Sequence, residues 1–337
     1  MIVVMKPEAT KEDIKNVTEK LQSLGFKTHP IFGEVKTIIG AIGDKRVLKV
    51  INIATMPGVE ALVPIMKPYK LAGRELKKDK TVINVGGVFI GGNEIIIIAG
   101  PCSVESRDMV ITTAKAVKDA GARILRGGAF KPRTSPYTFQ GLEEEGLKIL
   151  AEAREITGLP FITEVMDTRD VGLVSDYSDI LQIGARNMQN YRLLKEVGET
   201  KKPVMLKRNF SSTIEEWLMA AEYIMDGGNH DIILCERGIR TFETATRNTI
   251  DLTTIPIIHE NSHLPVFIDP SHSTGLWKYV PDLCKGAVAM GADGLMIEVH
   301  PDPSNALSDG NQSLRPEKFA ELIRQLKPLA EIIGRSV

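Results

Sequence analysis

IIIIAGPCSVESRDMVITTAKAVKDAGARILRG, residues 95–127, begins and ends on short apolar runs with a helical pattern between them. A strand, a crossover and a second strand of this kind call for a parallel sheet, because only a crossover of this length returns the chain in the same direction. The pattern continues outward. Further strand-like runs stand at PFITEV (160–165), ILQIGA (180–185), PVMLKR (203–208), DIILCER (231–237), PVFIDP (265–270) and GLMIEV (294–299). With IIIIAG (95–100) and ARILRG (122–127) they make eight β-strand repeats, which predicts a (β/α)8 barrel over residues 94–337. A doubly wound open sheet is the alternative, since strand order is invisible in a sequence, but no GxGxxG follows any of the strands.

Upstream, the pattern changes. Ile2 to Met5, a helix with apolar residues at Ile14, Val17 and Leu21, runs around Thr28–Phe32 and Val35–Ile42, a helix from Lys45 to Thr55 and a strand at Val59–Met66 give the order βαββαβ. This predicts a ferredoxin-like domain over residues 1–66, a common sensing or oligomerisation unit. Residues 67–80 are charged and lack a period, so they read as a linker. The hairpin expected around Gly86 and Gly87 could then close the bottom of the barrel, which puts linker and hairpin at 67–93.

Composition sets limits on function. The chain has 337 residues and a formal charge of −1, which argues against nucleic acid or an anionic membrane as the main partner. Three widely spaced cysteines do not suggest a disulfide framework and fit a reducing cytoplasm. The amino terminus turns polar within a few residues, so neither a secretory signal nor a membrane span is expected there.

In a barrel of this kind the site lies at the carboxyl ends of the strands. Read in order, those ends carry Cys102, Arg126, Glu164, Arg186, Lys207, Glu236 with Arg237, Asp269 with His272, and Glu298. Each has a dull reading when taken singly: Arg186 could cap a helix, Lys207 could pair with Glu236, and Cys102 could be a small core residue. Together they form two chemical groups. Arg126, Lys131, Arg186, Lys207 and Arg237 make a cationic floor that calls for a polyanion, such as a phosphate and a carboxylate on one small molecule. Cys102, His272 and Glu298 combine thiolate, imidazole and carboxylate, a donor set for a divalent transition metal rather than Mg2+ or Ca2+. His300, Asp302 and Asp309 compete for a fourth ligand position. The loop LRGGAFKPRTSPYTFQG (125–141) adds Arg133, Thr134 and Ser135 to the cations, in a setting stiffened by Pro132 and Pro136 and suited to phosphate.

The segments GPCSVES (100–106), LRGGAFKPRTSPYTFQG (125–141), QIGARNMQN (182–190), LKRNF (206–210), CERGIRTFE (235–243), DPSHSTG (269–275) and EVHPDP with ALSDG (298–310) resemble 3-deoxy-D-arabino-heptulosonate-7-phosphate (DAHP) synthase. The similarity is to the group with an amino-terminal ferredoxin-like regulatory domain, and it covers the whole barrel and, more weakly, the first domain. It implies condensation of phosphoenolpyruvate with erythrose 4-phosphate and release of phosphate. It also implies that Arg126, Lys131, Arg186, Lys207 and Arg237 hold phosphoenolpyruvate, and that Arg133, Thr134 and Ser135 take erythrose 4-phosphate. The metal ligands it implies are Cys102, His272, Glu298 and Asp309, for Mn2+, Fe2+, Co2+, Zn2+ or a similar ion. Lys131, Cys102 and His272 are the catalytic candidates, with Lys131 the best placed for proton transfer. A sister family, 3-deoxy-D-manno-octulosonate-8-phosphate synthase, uses arabinose 5-phosphate and carries a KANRSS-like segment where this chain has KPRTS (131–135). A rival from another class is a non-catalytic sugar-phosphate sensor or scaffold, which would need no thiolate–metal centre. The first domain is expected to sense phenylalanine or tyrosine, with His29 as a polar contact, and a homotetramer or homodimer is expected. Cys235 and Cys284 read as core residues.

Overall fold

The computed structural model describes residues 1–33, 36–43, 53–63, 67–131 and 137–337, which divide into two compact units, Met1–Asp79 and Lys80–Val337. In the first, β1 (Ile2–Met5), β2 (Lys27–Phe32), β3 (Thr37–Ile42) and β4 (Val59–Val63) form an antiparallel sheet in the order β2-β3-β1-β4. The helix α1 (Lys11–Ser23) begins where Thr10 and Asp13 cap each other's backbone amides, and its Ile14, Val17 and Leu21 are buried. They join Val3, Met5, Ile39 and Ile53 in one core. The expected second helix, Lys45 to Thr55, lies outside the described residues except for a 3-10 turn at Ile53–Thr55. Residues 67–79, read above as linker, bury Tyr69, Leu71, Ala72 and Leu76 and are part of the first unit. Their lack of period reflects turns rather than solvation.

In the second unit, β5 (Ile83–Val85) and β6 (Val88–Ile90) form a hairpin whose two-residue loop, Gly86-Gly87, has positive φ at both positions. Eight parallel strands follow: β7 (Ile96–Gly100), β8 (Ile124–Arg126), β9 (Phe161–Glu164), β10 (Ile180–Ile183), β11 (Val204–Lys207), β12 (Ile232–Glu236), β13 (Val266–Ile268) and β14 (Gly294–Glu298). They close into a barrel, with β14 paired to β7. The strands are covered on both faces, so the runs are continuously aliphatic rather than alternating. Ile96, Ile124, Ile180 and Met205 near the strand starts share one buried cluster with Ile83, Val85, Val88 and Ile90 of the hairpin. The hairpin therefore plugs the amino-terminal end, and the open mouth is at the other.

The crossover helices are α2 (Arg107–Ala120), α3 (Glu143–Thr157), α4 (Val171–Tyr177), α5 (Tyr191–Glu199), α6 (Ile214–Asp226) and α7 (Thr254–Asn261), then α8 (Pro270–Thr274) with α9 (Val280–Ala289), and α10 (Pro316–Ile332). Ser106 caps α2 by accepting from the Met109 amide, and Thr213 with Glu216 forms a capping box on α6.

Asp293, fully buried just before β14, ties together parts of the second unit that are far apart in the chain. Its carboxylate pairs with Lys80, faces His259 Nε2 at 3.1 Å and Arg335 Nη1 at 3.2 Å, and accepts from the Val266 amide at 2.9 Å. Burial alone would raise its pKa; His259 and Lys80 overcome that and hold it below the ordinary value. A carboxylate depressed on folding contributes stability above the unfolded pKa and loses it as pH falls through the folded one. Asp293→Asn is expected to cost toward the lower end of about 3–5 kcal/mol, since Lys80 and Arg335 can still reach water. Urea unfolding at pH 7 and in mild acid checks this: the gap between variant and parent should shrink in acid, and equal stability at pH 7 would show that Asp293 holds nothing together.

Candidate active site

The barrel gathers the strand ends into one mouth. Cys102, just past β7, is buried, and its Sγ lies 3.1 Å from Lys131 Nζ and 3.5 Å from Asp309 Oδ2. The same Nζ donates to the Cys102 carbonyl at 2.8 Å, and Arg126 Nη2 donates to that carbonyl at 3.3 Å. Burial pushes the thiol up to about 11; the Glu298 carboxylate adds to the rise, while Lys131 and Arg126 oppose it.

Cys102, His272 and Glu298 each offer a ligand atom, and these atoms all lie within 4.8 Å of one another. His272 sits on α8, whose N-cap Asp269 accepts from the His272 amide at 3.0 Å and faces its ring Nδ1 at 2.7 Å. Asp269 is held well below the usual carboxylate range: burial works against this, but His272 and Lys207 outweigh it. Burial, joined by Lys207, pulls the imidazole below its ordinary value. A carboxylate beside a neutral ring accepts from Nδ1–H and keeps the ring proton there, so Nε2 presents a lone pair toward Glu298, 3.3 Å away. Glu298 Oε2 accepts from Gln312 Nε2 at 2.7 Å, whereas buried Oε1 receives no hydrogen bond from any described residue. Arg126 Nη1 is 2.9 Å from Oε1, but out of alignment for one. A soft sulfur, an imidazole nitrogen and a carboxylate oxygen left open fit a divalent transition metal.

Of the three rivals for a fourth ligand, Asp309 is the one beside Cys102. It adopts the left-handed conformation, φ 49°, unusual for a residue with a side chain. His300 turns away, its Nδ1 accepting from the Asp302 amide and its Nε2 facing Glu105 at 3.4 Å. Asp302 interacts with Asn305 and Arg315.

The expected cationic floor is more nearly neutral than its residue types suggested. Lys207 is paired with Asp269, not Glu236, and Arg126 lies against Glu298. Glu236 belongs to Arg208, whose Nη1 is 3.0 Å from it and 3.0 Å from Asp251. Glu164, half-buried near Lys131, Lys207, Arg126 and Arg186, is raised above its ordinary value by desolvation. A side chain at Gly184 would meet its Oε1 at 2.0 Å, so this glycine leaves the carboxylate its room. Arg237 has no carboxylate in ion-pair contact among the described residues. It is buried above the Phe210 ring, 5.8 Å away, and its Nη1 has no hydrogen-bond partner among them. Burial pulls its pKa down, and Arg247 and Arg186 add to the fall against Asp269 and Glu236. Arg186 stands exposed on a 3-10 turn (Ala185–Asn187) at the rim.

Lys131 is within the described residues; Arg133, Thr134 and Ser135 lie outside them. Arg208, Arg247 and Gln312 were not singled out from the sequence. Arg208 follows Lys207 at a strand end, which was a usable signal; Gln312 had none. In the first unit, a 540 Å3 groove between α1 and β2 is lined by Ile14, Thr18, Gln22, Pro30 and Phe32 among others, while His29 is not in its wall. Cys235 and Cys284 are buried, as expected of core residues.

Residues 75–334 match the DAHP synthetase I family, and residues 1–67 match the DAHP synthase ferredoxin-like domain. The chain is 51% identical over 337 residues to the phospho-2-dehydro-3-deoxyheptonate aldolase of Thermotoga maritima, covering 100% of both chains. It is 34% identical over 265 residues to the 2-dehydro-3-deoxyphosphooctonate aldolase of Syntrophobacter fumaroxidans, covering 73% of this chain and 91% of the relative. The crystal structure of the Thermotoga maritima aldolase superposes with a TM-score of 0.80 at 50% identity, covering 100% of this chain and 98% of the other. A truncated 3-deoxy-D-arabino-heptulosonate 7-phosphate synthase from that organism reaches 0.74 and covers 79% of this chain and 98% of its own. Both units are thus accounted for, the small sheet and the barrel with its thiol, imidazole and carboxylate at the mouth, and the chain belongs to the DAHP synthetase I family.

Proposed function

We propose that this chain joins phosphoenolpyruvate to D-erythrose 4-phosphate, with water, to give DAHP and inorganic phosphate, the entry to the shikimate pathway of aromatic amino acid synthesis. The observation that carries this reading is the buried Arg237, a guanidinium whose Nη1 has no hydrogen-bond partner among the described residues, in the same mouth as Cys102, His272 and Glu298. A buried cation so placed calls for an anionic ligand.

Arg237, Arg186, Lys207, Arg126 and Lys131 hold the phosphate and carboxylate of phosphoenolpyruvate. Arg133, Thr134 and Ser135 take the phosphate of the aldose. Cys102, His272, Glu298 and Asp309 hold a divalent ion, Mn2+, Fe2+, Co2+ or Zn2+, which when bound supplies Lewis acidity for the aldehyde oxygen. Asp269 keeps the imidazole in the tautomer with Nε2 unprotonated. Lys131, in contact with Cys102 and in the loop that leads to Arg133, is the proton donor as the aldehyde becomes an alcohol. Binding in a fixed array of cations supplies much of the remaining rate by positioning.

Greater identity to the heptonate aldolase than to the octonate aldolase favours the four-carbon aldose. Phosphate release from phosphoenolpyruvate, measured with erythrose 4-phosphate or arabinose 5-phosphate, with Mn2+ or a chelator, tests both points. Release is expected with erythrose 4-phosphate and metal together. Preference for arabinose 5-phosphate would transfer the chain to the octonate chemistry, and no release with either would leave a sensor or scaffold.

The first unit is a regulatory domain for phenylalanine or tyrosine, and the enzyme works in the cytoplasm as a homodimer or homotetramer. Among the described residues no helix is long and apolar enough to cross a membrane. Rates with and without each amino acid decide the regulatory role: no change with either leaves the domain structural.

A further inference from the structure

The inference rests on the metal reading just given and concerns what aims Glu298. This carboxylate has two oxygens with different surroundings: Oε2 accepts from Gln312 Nε2 at 2.7 Å, while Oε1 faces His272 Nε2 at 3.3 Å and, among the described residues, has no hydrogen bond. Nearby, Arg126 has Nε and Nη1 without hydrogen-bond partners among the described residues, and Nη1 is already 2.9 Å from Oε1. A carboxylate free to rotate would turn into aligned, charge-assisted hydrogen bonds with that guanidinium. Something must hold it off.

Gln312 is fully placed to do so. It is buried on a 3-10 turn, Gly310–Gln312, that begins at Asp309. An amide can bind either way round, but here its Oε1 accepts from Arg247 Nη1 at 3.1 Å, which commits Nε2 to Glu298. Arg247 Nη1 is also 3.7 Å from Asp309 Oδ1, and the Arg247 amide donates to the Thr274 carbonyl at the end of α8. One side chain therefore touches the turn that carries Asp309 and the amide that holds Glu298, while its backbone is joined to the helix that carries His272.

We infer that Gln312, oriented by Arg247, is a positioning residue that keeps Glu298 Oε1 directed at the metal position and out of an aligned hydrogen bond with Arg126. Partners of metal ligands outside the coordination shell typically change affinity by about 10–100-fold. Gln312→Met keeps the length and loses the donor; Arg247→Met alters a half-exposed side chain and removes both the orientation of Gln312 and the positive charge 3.7 Å from Asp309.

The test is Co2+ titration of the metal-free full-length chain and both variants, followed by absorption. Gln312→Met is expected to bind Co2+ about 10–100-fold more weakly. Its ligand-field bands should move because Glu298 has turned, while the cobalt–thiolate charge-transfer band of Cys102 persists. Arg247→Met should shift both quantities in the same direction by less, and serves if Gln312→Met does not fold. Thermal melting of the metal-free variants separates this from packing: a lowered midpoint with parental Co2+ affinity and unmoved bands overturns the proposal. Failure of the parent chain to show a cobalt–thiolate band would instead overturn the metal reading, and this proposal with it.

Discussion

Cys102→Ser will lose metal and turnover together. The thiol is buried, and burial with the Glu298 carboxylate pushes it up to about 11, so without metal it keeps its proton at neutral pH. A divalent cation bound there would displace that proton and stabilise the thiolate that the protein alone disfavours, with Lys131 and Arg126 already favouring negative charge there. Metal uptake at pH 7 should therefore release about one proton from this site, and apparent affinity should rise with pH below about 11. A serine hydroxyl is a much weaker acid and a harder donor, so the same exchange fails. Removing a ligand should weaken binding by more than the about 10–100-fold that outer partners typically contribute. Metal content after dialysis, proton release on titration and turnover with excess Mn2+ measure the effect. Stoichiometric metal and full turnover in the serine variant would remove Cys102 from the site.

Lys131→Met should lower the turnover number by about 10²–10⁴-fold, the range of a lost general acid. Lys131 Nζ lies 3.1 Å from Cys102 Sγ, and it also donates to the Cys102 carbonyl. It is thus held beside Cys102, and Arg133 follows two positions later in the sequence. A residue that only bound phosphoenolpyruvate would raise the Michaelis constant and leave turnover alone. Lys131→Met with parental turnover would make it a binder and not an acid. Because Lys131 favours the thiolate, metal affinity should also fall modestly, which the Co2+ titration reads separately.

Much of the barrel was legible because its strands are covered on both faces. IIIIAG, PVMLKR and DIILCER are aliphatic without alternation, and each turns charged or small where the strand leaves the sheet for the mouth. For the same reason Cys102, Arg126, Lys207 and Glu298 could be named from position alone. The linker reading of residues 67–79 failed on the same principle: turns that bury Tyr69 and Leu71 have no period to detect.

Residue types and strand ends were thus written in the chain by itself, because burial and chain reversal leave local marks. Which charges meet was decided by the tertiary structure. Lys207 reaches Asp269 across 62 positions, Glu236 takes Arg208 across 28, and Cys102 meets Asp309 across 207 because closing the barrel sets β14 beside β7. Gln312 carries no mark at all until the chain after β14 turns back along that strand's end and places it against Glu298. A side chain's type follows from its own burial and chemistry, but its partner follows from which strands become neighbours, and that is a property of the closed sheet.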